Sequence, residues 1–359
     1  MEEDKKEVQI KLIKENQEES DEESLIEILR YISPGTTLRT GIEGVLKAKT
    51  GGLILIENDF TNNLFEGGFK VNCRFTSQRL NELCKMDGAI VLSRDMKKIL
   101  YANVLLTPNN TISSFETGTR HKAAERSAKQ AGTIVIAISQ RRDEIALFYK
   151  NLKYVIRDTN EVIRRSTESL QILEKHKEMF EKIQNELDSD ELKNATQINK
   201  VAKLIQKGKI ILKISEILKR YIIELGVEGV VVKARLREIL YGVEKEFNNL
   251  IRDYSKIGLS KSKKILDSLS YEELIEIDNI KQCLGFSLDV GVVIPKGFRI
   301  LEKNGLIEKE VGHLIKELKN LNNILDSHPE AIESIIGEKG KEISEKIRYL
   351  KNGLLKGNL

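Results

Sequence analysis

Met86-Asp87-Gly88-Ala89-Ile90-Val91-Leu92-Ser93-Arg94-Asp95, followed by a second apolar run from Ile99 to Leu106, is the stretch that sets the fold class. The run from Ala89 to Ser93 is short, apolar and preceded by glycine, which predicts a buried strand. Arg94-Asp95 is a turn of hairpin length, so the next run returns beside the first. Working outward, Gly51 to Glu57 is another apolar run after glycines, and Thr133 to Ser139 and Ile145 to Tyr149 complete the set. Leu25, Ile26, Ile28 and Leu29 have helical spacing and stop before Pro34-Gly35, and Thr119 to Gln130 reads as a helix. Strands alternate with helices, yet several strands are joined by short turns. The expectation is an α/β N-terminal domain with a mixed twisted sheet surrounded by helices, not a purely parallel one.

The texture changes after residue 150. No proline occurs between Pro108 and Pro295, and Lys, Glu, Leu and Ile dominate. Apolar residues recur at helical spacing: Ile163, Leu170, Leu173, Phe180 and Leu187, then Ile198, Val201, Ile205 and Leu212. Lys177 and Gln184 interrupt the heptad, which favours a packed bundle over a long coiled coil. From about 285, short turns at Pro295-Lys296-Gly297, Asn304-Gly305, His328-Pro329 and Gly337 to Gly340 separate short helices. Residues 1–24 hold ten Asp or Glu against four Lys, an acidic leader.

The bulk numbers exclude several classes. The chain has 359 residues, 40% hydrophobic and 32% charged, which suits two or three globular domains. The apolar runs are far shorter than the roughly 20 residues of a spanning helix, and the acidic start resembles no signal peptide, so a cytoplasmic protein without membrane segments is expected. Cys73, Cys84 and Cys283 form no C-x-x-C pair, which argues against a disulfide framework or a zinc site. Net charge is only +4, and residues 290–359 carry 12 basic against 10 acidic groups. DNA binding here would need placed groups, since bulk charge is too small.

Two clusters carry chemistry. Asp87 stands before Gly88-Ala89, where small residues admit a close approach to the backbone, and a carboxylate at a strand mouth can hold a divalent cation. Taken alone, Asp-Gly is also a common turn. The second cluster is Glu116-Thr117-Gly118-Thr119-Arg120-His121-Lys122-Ala123-Ala124-Glu125-Arg126. Cations in a first helical turn oppose the usual preference, and a bound phosphate chain would offset that conflict. A solvated basic helix start fits the same residues.

Together the clusters resemble the diadenylate cyclase family, whose signatures are Asp-Gly-Ala and Gly-Thr-Arg-His followed by a basic residue. Lys85 to Ser93, Ile99-Leu100-Tyr101-Ala102-Asn103, Glu116 to Arg126, and Ile136-Ala137-Ile138-Ser139-Gln140-Arg141-Arg142 are similar to that family, over roughly residues 25–150. The helical middle and Val293-Ile294-Pro295-Lys296-Gly297-Phe298-Arg299-Ile300-Leu301 resemble the branch that adds a helical linker and a helix-hairpin-helix domain. The resemblance implies an acidic leader (1–24), a nucleotide-binding diadenylate cyclase domain (25–150), an all-α linker domain (151–285) and a small helix-hairpin-helix DNA-binding domain (286–359). It implies condensation of two ATP into cyclic di-AMP and two pyrophosphates, coupled to sensing of branched DNA.

Carried over by residue, the resemblance makes Asp87 the catalytic carboxylate and the ligand of Mg2+ or Mn2+. Gly88, Ala89 and Leu106 would lie against the nucleotide, and Thr119, Arg120, His121, Lys122 and Ala123 would bind ATP. The family carries Arg and Thr where this chain has Lys122 and Ala123; Lys loses the bidentate fork and Ala a hydroxyl. Gly337, Lys339, Gly340 and Lys341 would meet DNA phosphates weakly, beside the acidic Glu338. The resemblance further implies a homo-octamer and a nucleoid-associated location in the cytoplasm. The competing reading is a DNA-junction-binding scaffold with a weakly active or inactive nucleotide domain.

Overall fold

The computed structural model describes residues 24–349 apart from 288, 338, 339, 341, 343, 344 and 347. The leader expected over 1–24 therefore falls, except for Ser24, outside the described residues, as do Lys339 and Lys341. The chain divides into two compact units: Met1–Thr167 with Lys219–Lys233, and Glu168–Leu218 with Ala234–Leu359.

The first unit begins with a helix over 24–31 (α1) and continues through α2 (Thr37–Lys47), β1 (Gly52–Ile56), β2 (Phe65–Glu66), β3 (Phe69–Arg74), α3 (Ser77–Leu83), β4 (Ala89–Leu92) and β5 (Lys98–Leu106). Then come α4 (Thr119–Ala131), β6 (Ile134–Ser139), β7 (Glu144–Tyr149) and β8 (Leu152–Ile156). The sheet order is β2-β5-β4-β1-β6-β7-β8, with β3 beside β2 on β5. β1 and β4 are parallel, and the other pairs are antiparallel. The mixed sheet expected from the sequence is present, and it runs past residue 150 to Ile156.

Alternation along the strands sorts two apolar layers. Ile54, Ile56, Ile90, Leu92, Ile136 and Ile138 pack with Ile28, Ile42 and Leu80 from the helices of one face. Leu53, Leu55, Ala89, Val91, Val135 and Ala137 pack with Ala124 and Ala128 of α4 on the other. Because both faces are covered, β1 and β4 are buried along their whole lengths. That explains why they read as continuous apolar runs without alternation. β3 was missed in the sequence although its apolar and polar residues alternate; it pairs with the outer edge of β5 and most of its residues are exposed.

In the second unit two long helices, α5 (Thr159–Leu192) and α6 (Ile198–Leu225), each contribute most of their length. Within α5 the fully buried residues Leu173, Phe180 and Leu187 repeat every seven positions. Lys177 does not break this stripe, because its ammonium reaches back over the Phe180 ring at 5.8 Å and pairs with Glu181 at 3.2 Å. The bundle continues with α7 (Val230–Leu240), α8 (Val243–Tyr254), α9 (Leu259–Ser268), α10 (Tyr271–Ile275) and α11 (Ile277–Cys283). Small helices follow: α12 (Phe298–Lys303), α13 (Glu308–Leu318), α14 (Leu321–Asp326) and α15 (Pro329–Ile336). Their ends coincide with the turns read from the sequence at Gly297, Asn304-Gly305, Pro329 and Gly337.

Arg299 ties α12 into this unit. Its guanidinium is 1% exposed and meets Asp188 at 2.5 Å, Glu191 at 2.6 Å and Glu246 at 2.5 Å. Asp253 accepts the backbone N–H groups of Gly297, Phe298 and Arg299 at 2.7, 2.6 and 3.0 Å, so a buried carboxylate caps α12. Burial pushes the carboxyls of Glu191 and Asp253 up, to about 7 and about 6. Arg299→Met would leave those acids buried without their cation, at a cost of about 3–5 kcal/mol. Denaturant unfolding should show the helical unit lose that stability; a loss below about 1 kcal/mol would mean that water reaches the cluster.

Candidate active site at one end of the sheet

The parallel pairing of β1 and β4 places their N-terminal ends together, Ile54 beside Ile90. Antiparallel pairing brings the end of β6 there too, with Gly52 opposite Ile138, and sets Val104 of β5 opposite Ala89. α4 runs back along the same face. Its C-terminal end is tied to the far end of the sheet, where Asn58 Nδ2 donates to Ala131 O at 2.8 Å. Its N-terminus therefore faces the end where Gly51, Gly88 and Leu106 lie.

The two motif clusters meet there. An added Cβ on Gly51 would stand 2.4 Å from Arg120 Nη1, so the guanidinium lies against the backbone entering β1. Ala89, Leu106 and Ala123 share one apolar cluster, joining motif one, the end of β5 and motif two. Ala123 is half-buried in that cluster, a place that an alanine fills without a hydroxyl to satisfy. Gly88 has φ +85 and its missing Cβ would stand 2.8 Å from Val104 O. Gly68, φ +70, approaches the same bulge from the other side, 2.5 Å from Ala102 O. Asn103 between them has φ 57. Two glycines thus admit a left-handed kink in β5 beside Asp87, and any larger residue would collide with backbone.

The start of α4 is open to an anion. Gly118 is the N-cap, without a side-chain cap, and no acid occupies the first turn. The first intrahelical bond is Lys122 N–H to Gly118 O at 2.8 Å. The amides before it and the positive end of the helix face outward, with Thr119 exposed and Arg120 and Lys122 half-buried. Asp87 is exposed, two residues before Ala89 of the cluster that holds Ala123.

His121 is placed differently from its neighbours. It is 7% exposed and meets the Phe148 ring edge-on at 6.4 Å. Its Nε2 is buried and has no hydrogen-bond partner. Burial pushes the imidazole below its ordinary range, with Glu116 opposing and Arg142 reinforcing that shift, so the ring is neutral.

The loop before α4 is held by ion pairs and hydrogen bonds that the sequence did not show, although Glu116, Arg126 and Arg142 stood in the motifs it offered. Glu116, 8% exposed, pairs with Lys153 at 2.5 Å and Arg142 at 3.8 Å. Arg142 also donates to Thr117 Oγ1 at 3.0 Å. Arg126 Nε donates to Ile112 O at 2.9 Å and Lys129 Nζ to Ser113 O at 2.9 Å, so these two basic residues brace the loop instead of facing the open helix start. Only tertiary structure brings Lys153 and Arg142 to Glu116.

Residues 39–152 match the family described as the DisA bacterial checkpoint controller nucleotide-binding domain, and residues 156–292 match the DisA bacterial checkpoint controller linker region. These matches make the chain a diadenylate cyclase, a nucleotidyltransferase. The chain is 38% identical over 347 residues to DNA integrity scanning protein DisA of Clostridium botulinum (strain Loch Maree / Type A3), covering 94% of this chain and 98% of the relative. It is 39% identical over 345 residues to the same-named protein of Clostridium perfringens (strain SM101 / Type A), covering 93% and 95%. The chain belongs to the DisA family. Among solved structures, a hypothetical membrane spanning protein from Bacillus cereus is 23% identical, covering 34% of this chain and 62% of that one, with a TM-score of 0.31. A double mutant of DacA from Staphylococcus aureus is 20% identical, covering 41% and 94%, with a TM-score of 0.29. No helix among the described residues is long and apolar enough to cross a membrane.

The neutral state of His121 has a pH signature. Its folded pKa lies below the ordinary 6.5, so the unfolded chain takes up the proton first as pH falls. Stability from this residue is complete above the unfolded value and is lost as pH drops toward the folded one. Between about pH 7.5 and 5.5 the sheet unit of the parent should lose more stability than that of His121→Gln. An imidazole resonance titrating at or above 6.5 would contradict this placement.

Proposed function

We propose that this chain condenses two ATP into cyclic di-AMP, releasing two pyrophosphates. The observation that carries the reading is the meeting of Asp87-Gly88-Ala89 with Thr119-Arg120-His121-Lys122 at one end of one sheet, through the shared cluster of Ala89, Leu106 and Ala123. Gly88 lets the β5 backbone close against the entry to β4, which sets Leu106 beside the exposed Asp87-Gly88 turn where a nucleotide would lie. The open start of α4 and the cations of Arg120 and Lys122 receive phosphates. Thr119 adds a hydroxyl. The neutral His121 has a buried Nε2 without a partner, which a phosphate oxygen reaching that depth would supply.

Asp87 stands exposed as a single carboxylate, and no group of three metal-ligating side chains occurs among the described residues. That donor set fits Mg2+ or Mn2+ bound by one carboxylate, water and ATP phosphates, not a cage of protein ligands. Such an ion, when bound, neutralises charge at the α-phosphate and acidifies the attacking hydroxyl. Asp87 orients that 3′-hydroxyl and takes up its proton. The 3′-oxygen forms a bond to the α-phosphorus of the facing ATP, and the bond to pyrophosphate breaks. Each ATP both gives a hydroxyl and accepts one, so two copies of the domain must face each other. We infer a homo-oligomer on that ground, with the octamer taken from the family resemblance.

Binding of branched DNA through the C-terminal helices belongs to the same proposal, as do a nucleoid-associated cytoplasmic location and the division at 24, 150 and 285. Gly337, with φ +83, ends α15 and leaves open space where a side chain would stand, so a phosphate can approach its backbone. Arg299 is buried within the linker bundle, so point changes probe this module better than a cut near residue 285.

Asp87→Asn should lower cyclic di-AMP synthesis by about 100-fold or more while leaving thermal unfolding unchanged. Synthesis within a few-fold of the parent would refute the role of Asp87. Lys339→Glu with Lys341→Glu should weaken binding to a four-way junction by about tenfold and flatten its salt dependence, with basal synthesis intact. Unchanged gel-shift affinity would place DNA elsewhere.

A further inference from the structure

A second polar cleft lies in the sheet unit, at the opposite end of the β4–β5 hairpin from Asp87. Its volume is about 690 Å³, and four cations line it: Arg30, Arg74, Lys97 and Lys98. Arg74 and Lys98 are register partners across β3 and β5, so two positive side chains stand directly opposite each other. Like charges in that arrangement repel and destabilise the pair. All four side chains are exposed, and none has an ion-pair partner among the described residues. The one acid of the cleft, Asp95, is already engaged. It accepts from Ser93 Oγ at 2.6 Å and from Lys97 N–H at 3.1 Å, and these bonds hold its carboxyl below the usual range. Asp95 therefore shapes the turn, and its single charge, felt by the neighbouring Lys97, stands against four cations, so the cleft keeps a net positive charge. Leu38 and Phe75 are buried beneath, and Tyr31 presents a ring that is 52% exposed at the rim.

We propose that this cleft binds a nucleoside phosphate. Arg74, Lys98, Lys97 and Arg30 hold phosphate oxygens, and Tyr31 offers its face to the base. Four cations against the one carboxylate of the turn leave a net positive charge that favours a polyanion. The apolar floor and exposed ring favour a ligand with a flat organic part over a bare anion. The ligand offsets the Arg74–Lys98 repulsion, which would explain an arrangement that costs the empty sheet stability. The proposal does not rest on the reading of the Asp87 site, because the length of β4 separates the turn that lines the cleft from Asp87.

The test is calorimetric titration of the full-length protein, with Mg2+, using an ATP analogue whose α–β bridging oxygen is a methylene group and which cannot cyclise. The parent should bind two per chain. Arg74→Glu should weaken one event by about tenfold or more, since a charge-assisted contact becomes a repulsion. It should leave the other event and cyclic di-AMP synthesis from ATP unchanged. Its unfolding temperature should equal or exceed the parent's, because the change sets opposite charges across the two strands; this separates lost binding from lost folding. Arg120→Ala with His121→Ala should remove the other event and spare this one. Pyrophosphate should compete for the event that Arg74→Glu removes. No binding event in the parent that Arg74→Glu weakens, or no competition by pyrophosphate for that event, would overturn the proposal. Failure of the Asp87 reading has a different signature: loss of synthesis-linked binding with the Arg74-sensitive event intact.

Discussion

The parallel pairing of β1 with β4 is the constraint on which the candidate active site depends. In an otherwise antiparallel sheet it puts two strand beginnings side by side, Gly52 next to the Gly88-Ala89 entry. Burial on both faces holds that pairing. A one-residue slip would exchange the isoleucine layer under α2 and α3 with the smaller layer under α4. Alanines at 124 and 128 are matched to the second layer only, because they let α4 lie close to the strands. The open start of α4 is then carried to the same end as Asp87, and two motifs some thirty residues apart become one site.

Electrostatics is handled in opposite ways in the two units. In the helical unit Arg299 is buried and surrounded by Asp188, Glu191 and Glu246, while Asp253 caps the helix that carries it. Such a cluster is costly to break and specifies where α12 sits more than it adds net stability. In the sheet unit the cations at the start of α4 are left half-exposed without an acid in the first turn. The acid of that loop, Glu116, is turned instead toward Lys153 and Arg142. Positive charge is thereby concentrated where a phosphate can use it, and the loop is fixed from behind.

Much of the sheet was legible because its central strands are buried on both sides, and burial leaves a direct mark on composition. The runs at 53–56, 89–92 and 134–138 could hardly be anything but core. The edge strand was missed although it carries a signal: in β3 Phe69, Val71 and Cys73 alternate with Lys70, Asn72 and Arg74, and Val71 and Cys73 pack on the core, but the run is short and only half apolar. In the linker the heptad was readable, but Lys177 looked like an interruption because sequence shows the charge of a lysine and not the path of its methylenes. Glu116 was visible as part of a motif, while its partners Lys153 and Arg142 sit on other elements and carry no mark linking them to it.

The sequence by itself determined the class of the chain: a mixed α/β nucleotide-binding unit, a helical linker and short C-terminal helices, with Asp87 and the Thr119–Lys122 turn as the chemistry-bearing residues. The layout of strands and helices follows from local periodicity and glycine placement, which are properties of neighbouring residues, while the nucleotide-binding role and the candidate residues come from the resemblance of the two motifs to a family. Tertiary structure decided how they act together. It turned His121 inward to a neutral, unpartnered state, set Arg120 against Gly51, and stood Arg74 opposite Lys98 with no ion pair to either among the described residues. Those outcomes depend on strand register and on burial between distant segments, and desolvation and like-charge repulsion take their size from that packing alone.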